Sequence, residues 1–418
     1  MLPHTQAYID TAWRETSPGW LLAVVAMLGF RRPAPGPIAI CDLACGTGYS
    51  AALTAASMPS ARVDGFDADA GHIAAAGRLA KSAGINNIRF ETADIRVLAA
   101  DPPRTYDLVI VHGVLSWVRP DVREAIFRFA GTALKDGGIA YLHYACQPGA
   151  STFSVLNAAM RAAAPGGTPM ERLEKARPVL ERMRHGAGLF IAHPQAGTSW
   201  DSLTKQPDAY VAHELAGDTF EPLSSGDVIA AMAARGCTFA GSATAIENVD
   251  RMSLPEDCVA ALDGVDEPHF REVLKDIARD QALRRDIYVK NGRPLTPQAH
   301  VDALRGLRFR RMADVAGGAV TIQTRMGPVE GAAAIFAPLL DAFSAGDRAF
   351  DELEKIPPFS GRPGLLNQSL VLLMEGGLVR PVWTGADKAG AEAFNRAVSG
   401  SATAPAEADA ELMGPRPL

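Results

Sequence analysis

The stretch "CDLACGTGYSAAL", Cys41 to Leu53, decides the reading of this chain. An apolar strand ends here, turns on Gly46 and Gly48, and continues as an alanine-rich helix. Glycine at such a turn lets the backbone take left-handed angles and come close to a ligand. Gly46-x-Gly48-x-x-Ala51 formally satisfies the dinucleotide-binding pattern. By itself that match is weak, so its neighbours must say what the turn holds.

Strand and helix signals alternate outward from this turn. "IAICDL" (38–43), "RVDGFD" (62–67), "NIRFET" (87–92), "YDLVIVHG" (106–113) and "IAYLHYA" (139–145) read as strands. Residues 49–58, 70–83 and 120–134 read as helices between them, with Gly84 closing one and Pro120 opening another. Residues 5–30 also read as helical, up to the break "RRPAPGP". Five apolar strands separated by helices imply a parallel sheet covered on both faces. Residues 151–209 interrupt the alternation with helical patterns. They form an insertion at the carboxyl ends of the strands, where open α/β sheets bind ligands, and so a candidate lid. Strand signals resume in 226–248 and in "LRRDIYVK" (283–290), the expected sixth and seventh strands.

The expected fold is α/β, a Rossmann-like seven-stranded sheet with a helical insertion and a small, mainly helical, winged-helix-like C-terminal domain. Its divisions are 1–150 for the first part of the sheet domain, 151–209 for the insertion and 210–292 for the region completing the sheet. The C-terminal domain covers 293–398, and the small, polar residues 399–418 are expected to be disordered.

A net charge of -6 over 418 residues offers no footprint for nucleic acid or an anionic membrane. The start lacks the basic and apolar regions of a signal peptide, and the longest apolar run, Trp20 to Phe30, is too short to span a bilayer. Five scattered cysteines argue against a disulfide framework and for a reducing cytoplasm. Cys41 and Cys45 lack a second ligand pair, so no metal site is expected. Composition leaves a homodimer open.

Three aspartates follow consecutive strands. Asp42 stands four residues before Gly46. A carboxylate there would crowd a pyrophosphate but suits a cationic ammonium group, as on the methionyl end of S-adenosylmethionine. Asp67, ending the second strand, can accept both ribose hydroxyls, a feature shared with NAD enzymes. Asp94 can accept from an adenine amine while Ile95 packs on the ring. Ala44 and Ala68 belong to the same two turns. Each aspartate also has a plain reading as a turn or helix cap.

At this point the sequence resembles a family. "DLACGTGYS", "GFDADAGHIAAAGRLAKSAGINNIRF", "VHGVLSWV", "LKDGGIAYLHYACQPG", "YVAHELAGDTFEPLSSGDVIAAMAARGCTFAGSA" and "LRRDIYVKNGRPL" look like bacterial class I S-adenosylmethionine-dependent methyltransferases. The group carries a methyltransferase regulatory domain and a C-terminal winged-helix domain, and includes rickettsial protein-lysine methyltransferases. The resemblance implies S-adenosylmethionine as cofactor and a protein lysine amine as acceptor. A small-molecule O- or N-acceptor and a non-catalytic cofactor-binding regulator stay open. Relatives usually read Tyr-Asn-x-x-Pro-Gly-Trp after the fifth strand, whereas this chain has Ala145 and Ala150 in place of the asparagine and tryptophan.

Methyl transfer needs a positioned nucleophile and the exclusion of water. A lysine amine must first lose a proton, which costs about 4–5 kcal/mol at pH 7; a carboxylate acceptor needs no base. The candidate catalytic residues are His112 after the fourth strand, Tyr144 at the end of the fifth and Tyr8 in the N-terminal segment. His112 is equally a candidate for touching the cofactor. Alternation lets only one of His143 and Tyr144 face the site, and the expectation is Tyr144. Trp117, Tyr210 and His213 are candidates for the acceptor side, with core or hinge roles as the alternatives.

Overall fold

The computed structural model describes residues 12–34, 36–312, 320–324, 327–383, 388–399 and 407–415. Seven strands form one sheet: β1 (Ala39–Leu43), β2 (Arg62–Asp67), β3 (Ile88–Thr92), β4 (Tyr106–Val111), β5 (Leu134–Ala145), β6 (Cys237–Ser242) and β7 (Leu283–Lys290). Their order is β3-β2-β1-β4-β5-β7-β6. β1 to β5 pair in parallel, and β7 runs antiparallel between β5 and β6. The strand order reverses between β1 and β4, which opens a crevice at their carboxyl ends.

One face of the sheet packs on helices that bring Phe127, Phe129, Ile229 and Met232. The other packs on the helix Pro18–Met27, all ten residues of which are buried. A helix that is apolar all round must be covered on every side. The sheet covers it with Ile40, Leu108 and Ile139, and the C-terminal segment with Phe336, Leu366 and Leu370. Asn367 Nδ2 donates to the Met27 carbonyl at 3.1 Å, and His300 Nε2 lies 3.2 Å from the same oxygen. These contacts occupy a carbonyl that the helix end leaves unpaired. The helix expected over 5–30 is shorter among the described residues. A 3-10 turn (Arg14–Thr16) precedes it, and Ser17 caps a new helix at Pro18. Proline lacks an N–H and its ring opposes a preceding helical turn, so the helix starts there.

The insertion folds as five helices, Ser151–Ala163, Pro169–Met183, Gly188–Ala192, Pro194–Leu203 and Asp208–Ala216. Leu156, Met160, Phe190, Trp200 and Leu215 give it a core of its own. The expected boundary at 209/210 falls inside the last helix. Val211, Ala212 and Leu215 of "YVAHEL" pack in the insertion core.

In the C-terminal segment, Arg308–Arg311 lies between Arg348–Ala349 and Val379–Val382 in a three-stranded sheet. Residues 407–415 correct the expectation of a disordered tail. Ala408–Asp409 pairs with Gly414–Pro415, and Ala408, Ala410 and Leu412 are buried. Asn395 brackets the start of this hairpin, donating to the Ala408 carbonyl at 3.0 Å and accepting from its N–H at 2.7 Å. Small apolar residues read as a loose tail in composition, yet they fit closely against Ala52, Leu53 and Ala56 of the helix after the glycine turn. Among the described residues no helix is long and apolar enough to cross a membrane, and no cluster of His, Cys, Asp and Glu could hold a metal.

Candidate active site

The turn after β1 takes left-handed angles at Ala44 (φ 63°), Gly46 (φ 55°) and Gly48 (φ 73°). The two glycines serve different ends. A Cβ at Gly46 would meet nothing within 4 Å, so this backbone borders open space. A Cβ at Gly48 would come within 2.7 Å of the Phe90 ring and 2.5 Å of Ala76. Gly46 thus admits a ligand, and Gly48 lets the helix Tyr49–Ser57 close on its neighbours.

Asp42 lies beside this turn, 7% exposed. Burial, and then the charge of Asp67, raise its carboxyl to about 7. A buried acid of this kind is stabilised in its charged form by a cationic ligand. Asp67 Oδ2 accepts from the Gly46 N–H and Oδ1 from the Asp69 N–H, both at 2.9 Å, while His72 Nδ1 lies 3.4 Å from Oδ1. The His72 imidazole is raised mainly by its hydrogen bond to Asp67. A carboxylate has about four acceptor sites, so Asp67 both fixes the turn and retains capacity for a hydroxyl. Ala68 beside it is exposed. Asp94 has the capping role: Oδ1 accepts from the Arg96 N–H at 2.8 Å, and the carboxylate pairs with the Arg96 guanidinium at 2.7 Å. Ile95 is buried in the core beneath it. The open Gly46, the buried Asp42 and the acceptor capacity left on Asp67 fit S-adenosylmethionine. When bound, that molecule supplies a methyl group on a positively charged sulfur.

Beside the crevice, three neighbouring strands carry a second, largely buried group of polar and aromatic side chains. Val111 at the end of β4 pairs with Leu142 of β5, and His143 of β5 pairs with Arg285 of β7. That register sets His112, His143 and Arg285 side by side on one face. The two imidazoles stack at 4.3 Å and 9°. Tyr141 Oη lies 3.1 Å from His112 Nδ1. The Trp13 indole lies against both His112 (6.1 Å) and the Arg285 guanidinium (5.9 Å). Burial, then Arg285, hold His112 down to about 3. Burial, then His112 and Arg285, hold His143 well below its ordinary value. Both imidazoles are neutral at pH 7.

Tyr144, the expected catalytic residue of β5, does not lie among these side chains. Alternation turns it to the opposite face, where it is fully buried and donates to Asp286 Oδ2 at 2.6 Å. That face holds a buried ion cluster in which Arg284 pairs with Glu272, Asp276 and Asp286. Trp117 ties its loop to the insertion, its Nε1 donating to the Glu214 carbonyl at 3.2 Å and its ring packing on Phe220. Tyr210 is half-buried on the last insertion helix, and burial raises it to about 12. His213 on the same helix is exposed beside Glu214. Tyr8 lies outside the described residues. Sequence reasoning weighed His143 and set it aside, and did not single out Arg285, Trp13 or His72. The signal for His143 was its parity with Tyr141 on β5.

The strand order, the glycine turn and its acidic partners define a methyltransferase that uses S-adenosylmethionine. Residues 40–138 match the methyltransferase domain family, and 207–290 match the predicted methyltransferase regulatory domain. The chain belongs to the family of the uncharacterized Synechocystis protein sll1526, being 30% identical over 82% of this chain and 68% of that one. It is also similar to a trans-aconitate 2-methyltransferase of Methylobacterium nodulans, 35% identical over 26% of this chain and 40% of that one. The fold matches PKMT2 from Rickettsia typhi in complex with AdoHcy, with a TM-score of 0.71 and 18% identity over 91% of this chain and 78% of that one.

Proposed function

We propose that the chain methylates a side chain of another protein, received between the carboxyl edge of the sheet and the helical insertion. The observation that carries this reading is the exposed apolar side chains of the insertion. Val155, Val179, Met183 and Ile191 are all exposed there, on three helices. Four large apolar side chains left exposed on one inserted unit support a role in protein contact. The resemblance to rickettsial protein-lysine methyltransferases supports a protein acceptor and implies a lysine amine as the group modified. The C-terminal segment supports a winged-helix reading through its strand–helix–helix–strand order over 348–382, with 308–311 as the middle strand. All five cysteines are free, which supports a reducing, cytoplasmic setting.

The expected outcome with tritiated S-adenosylmethionine and source-cell lysate is label in the protein fraction. Met183→Ser with Ile191→Ser should cut that labelling at least fivefold without changing the calorimetric affinity for S-adenosylmethionine. Labelling undiminished by the double substitution would rule out the insertion as the receiving surface. The second reading is a small-molecule acceptor. It is favoured by Ala145 and Ala150 standing where relatives carry asparagine and tryptophan, and by the similarity to a trans-aconitate 2-methyltransferase. It predicts label in the small-molecule fraction instead.

A further inference from the structure

We propose that the group of His112, His143 and Arg285 takes a carboxylate as the methyl acceptor, held by the Arg285 guanidinium. This rests on the methyltransferase reading but departs from the lysine amine that the resemblance implies. The first ground is the guanidinium itself. Arg285 is half-buried, and among the described residues no carboxylate lies within ion-pair distance of it. Its neighbour Arg284, by contrast, holds three acids. Arg285 Nη1 donates to Thr244 Oγ1 at 3.3 Å, the guanidinium also donates to the Tyr141 hydroxyl, and its Nε is buried with no partner. An arginine fork presents paired donors that match the two oxygens of a carboxylate. A buried donor left unpaired is costly, so its pairing is the missing half of this arrangement.

The second ground is His143. It is 8% exposed, and its Nδ1 is likewise buried without a partner, beside Arg285 in the strand register. A neutral imidazole can donate to a carboxylate or hold its ester product. The acids of the same corner have other partners. Glu15 accepts from Arg14 at 2.8 Å, Glu375 pairs with Arg14 at 3.3 Å, and Glu247 accepts from Ser242 and Gln281. Burial raises the Glu375 carboxyl, and Arg14 and Arg285 pull it back.

The third ground is proton balance. An ammonium acceptor must give a proton to a base, but both imidazoles of the group are weakened as bases by burial. A carboxylate has none to give. One of its oxygens attacks the methyl carbon with a lone pair, the carbon–sulfur bond breaks, and its electron pair stays on sulfur, cancelling the sulfonium charge. The products are a methyl ester and S-adenosylhomocysteine, and no proton moves.

The test uses the full chain, tritiated S-adenosylmethionine and source-cell lysate, separated into protein and small-molecule fractions. Methyl esters are hydrolysed by mild alkali to volatile methanol, whereas methylated amines are stable to it. The expected label is alkali-labile, and the fraction holding it tells a protein carboxylate from a free acid. Alkali-stable label in whichever fraction holds it would overturn the proposal. With the labelled fraction as substrate, Arg285→Gln should raise the acceptor KM at least tenfold and Arg285→Lys should restore part of it. Calorimetric binding of S-adenosylmethionine should stay within twofold in both. An unchanged KM in Arg285→Gln would also overturn it. Wild-type chain that failed to bind S-adenosylmethionine would instead count against the methyltransferase reading.

Discussion

The two halves of the sheet's carboxyl edge are assembled from very different distances along the chain. The cofactor half comes from Asp42 to Ile95, three consecutive strand ends. The acceptor half joins Trp13, His112, His143 and Arg285, from both ends of the sheet domain. The first half is fixed by local backbone geometry, the second by strand register and by what packs over it. Substitutions should therefore act differently in the two halves: through the turn's backbone and cofactor affinity in the first, through acceptor chemistry in the second.

The largest effect belongs to Gly48→Ala. Its left-handed φ alone would cost about 1–2 kcal/mol, and a Cβ against Phe90 and Ala76 would add about 1–3 kcal/mol of overpacking. Urea unfolding should show the sum, while Gly46→Ala, with open space around it, should show only the strain. Equal losses in the two variants would erase the distinction drawn between these glycines.

Asp42→Asn should act on binding without harming the fold. Asp42 has a folded value of about 7 against an ordinary 3.8, so the fold holds its proton more tightly than the unfolded chain does. The stability this gives is complete below 3.8 and is lost as pH rises through about 7. At pH 8 the asparagine should be no less stable than the ionised aspartate. Cofactor affinity should nevertheless fall at least tenfold, because the partner of the ammonium group is gone. In the wild type the proton must leave before that pairing, so affinity should weaken about tenfold per pH unit below 7. Calorimetry at pH 6 and pH 8 checks this, and a pH-independent affinity would contradict the assignment.

The contrast also explains what could be read from residues alone. Gly46, Gly48, Asp42 and Asp67 sit at fixed offsets from strand ends, so alternating patterns located the seven strands and turn chemistry singled out these four as candidates. Asp94 was legible in place but its capping role, with Arg96 closing on it, needed side-chain geometry. Arg285 was not legible as a site residue. It meets His143 only because β7 enters the sheet antiparallel, and no local pattern fixes that register. The face that Tyr144 takes was hidden for a related reason. Alternation said that one of Tyr144 and His143 faced inward, but only the ion cluster on the far face, which needs a buried hydroxyl donor at Asp286, decides which.

That pair supplies the smallest effect and the sharpest test of the acceptor half. His143→Phe keeps a flat ring against His112 but removes the imidazole nitrogens, so kcat/KM for the acceptor should fall about fivefold, with cofactor affinity unchanged. Tyr144→Phe, one residue on, removes a hydroxyl that donates to Asp286 on the opposite face. A hydrogen bond to a charged, buried partner contributes about 1.5–3 kcal/mol, so this variant should lose stability in that range. Its acceptor kinetics should stay within twofold of wild type, because nothing it touches faces the His112 and His143 side. Should Tyr144→Phe slow transfer more than His143→Phe does, the acceptor half would lie on the wrong face of the sheet, and the division between the two halves would have to be redrawn.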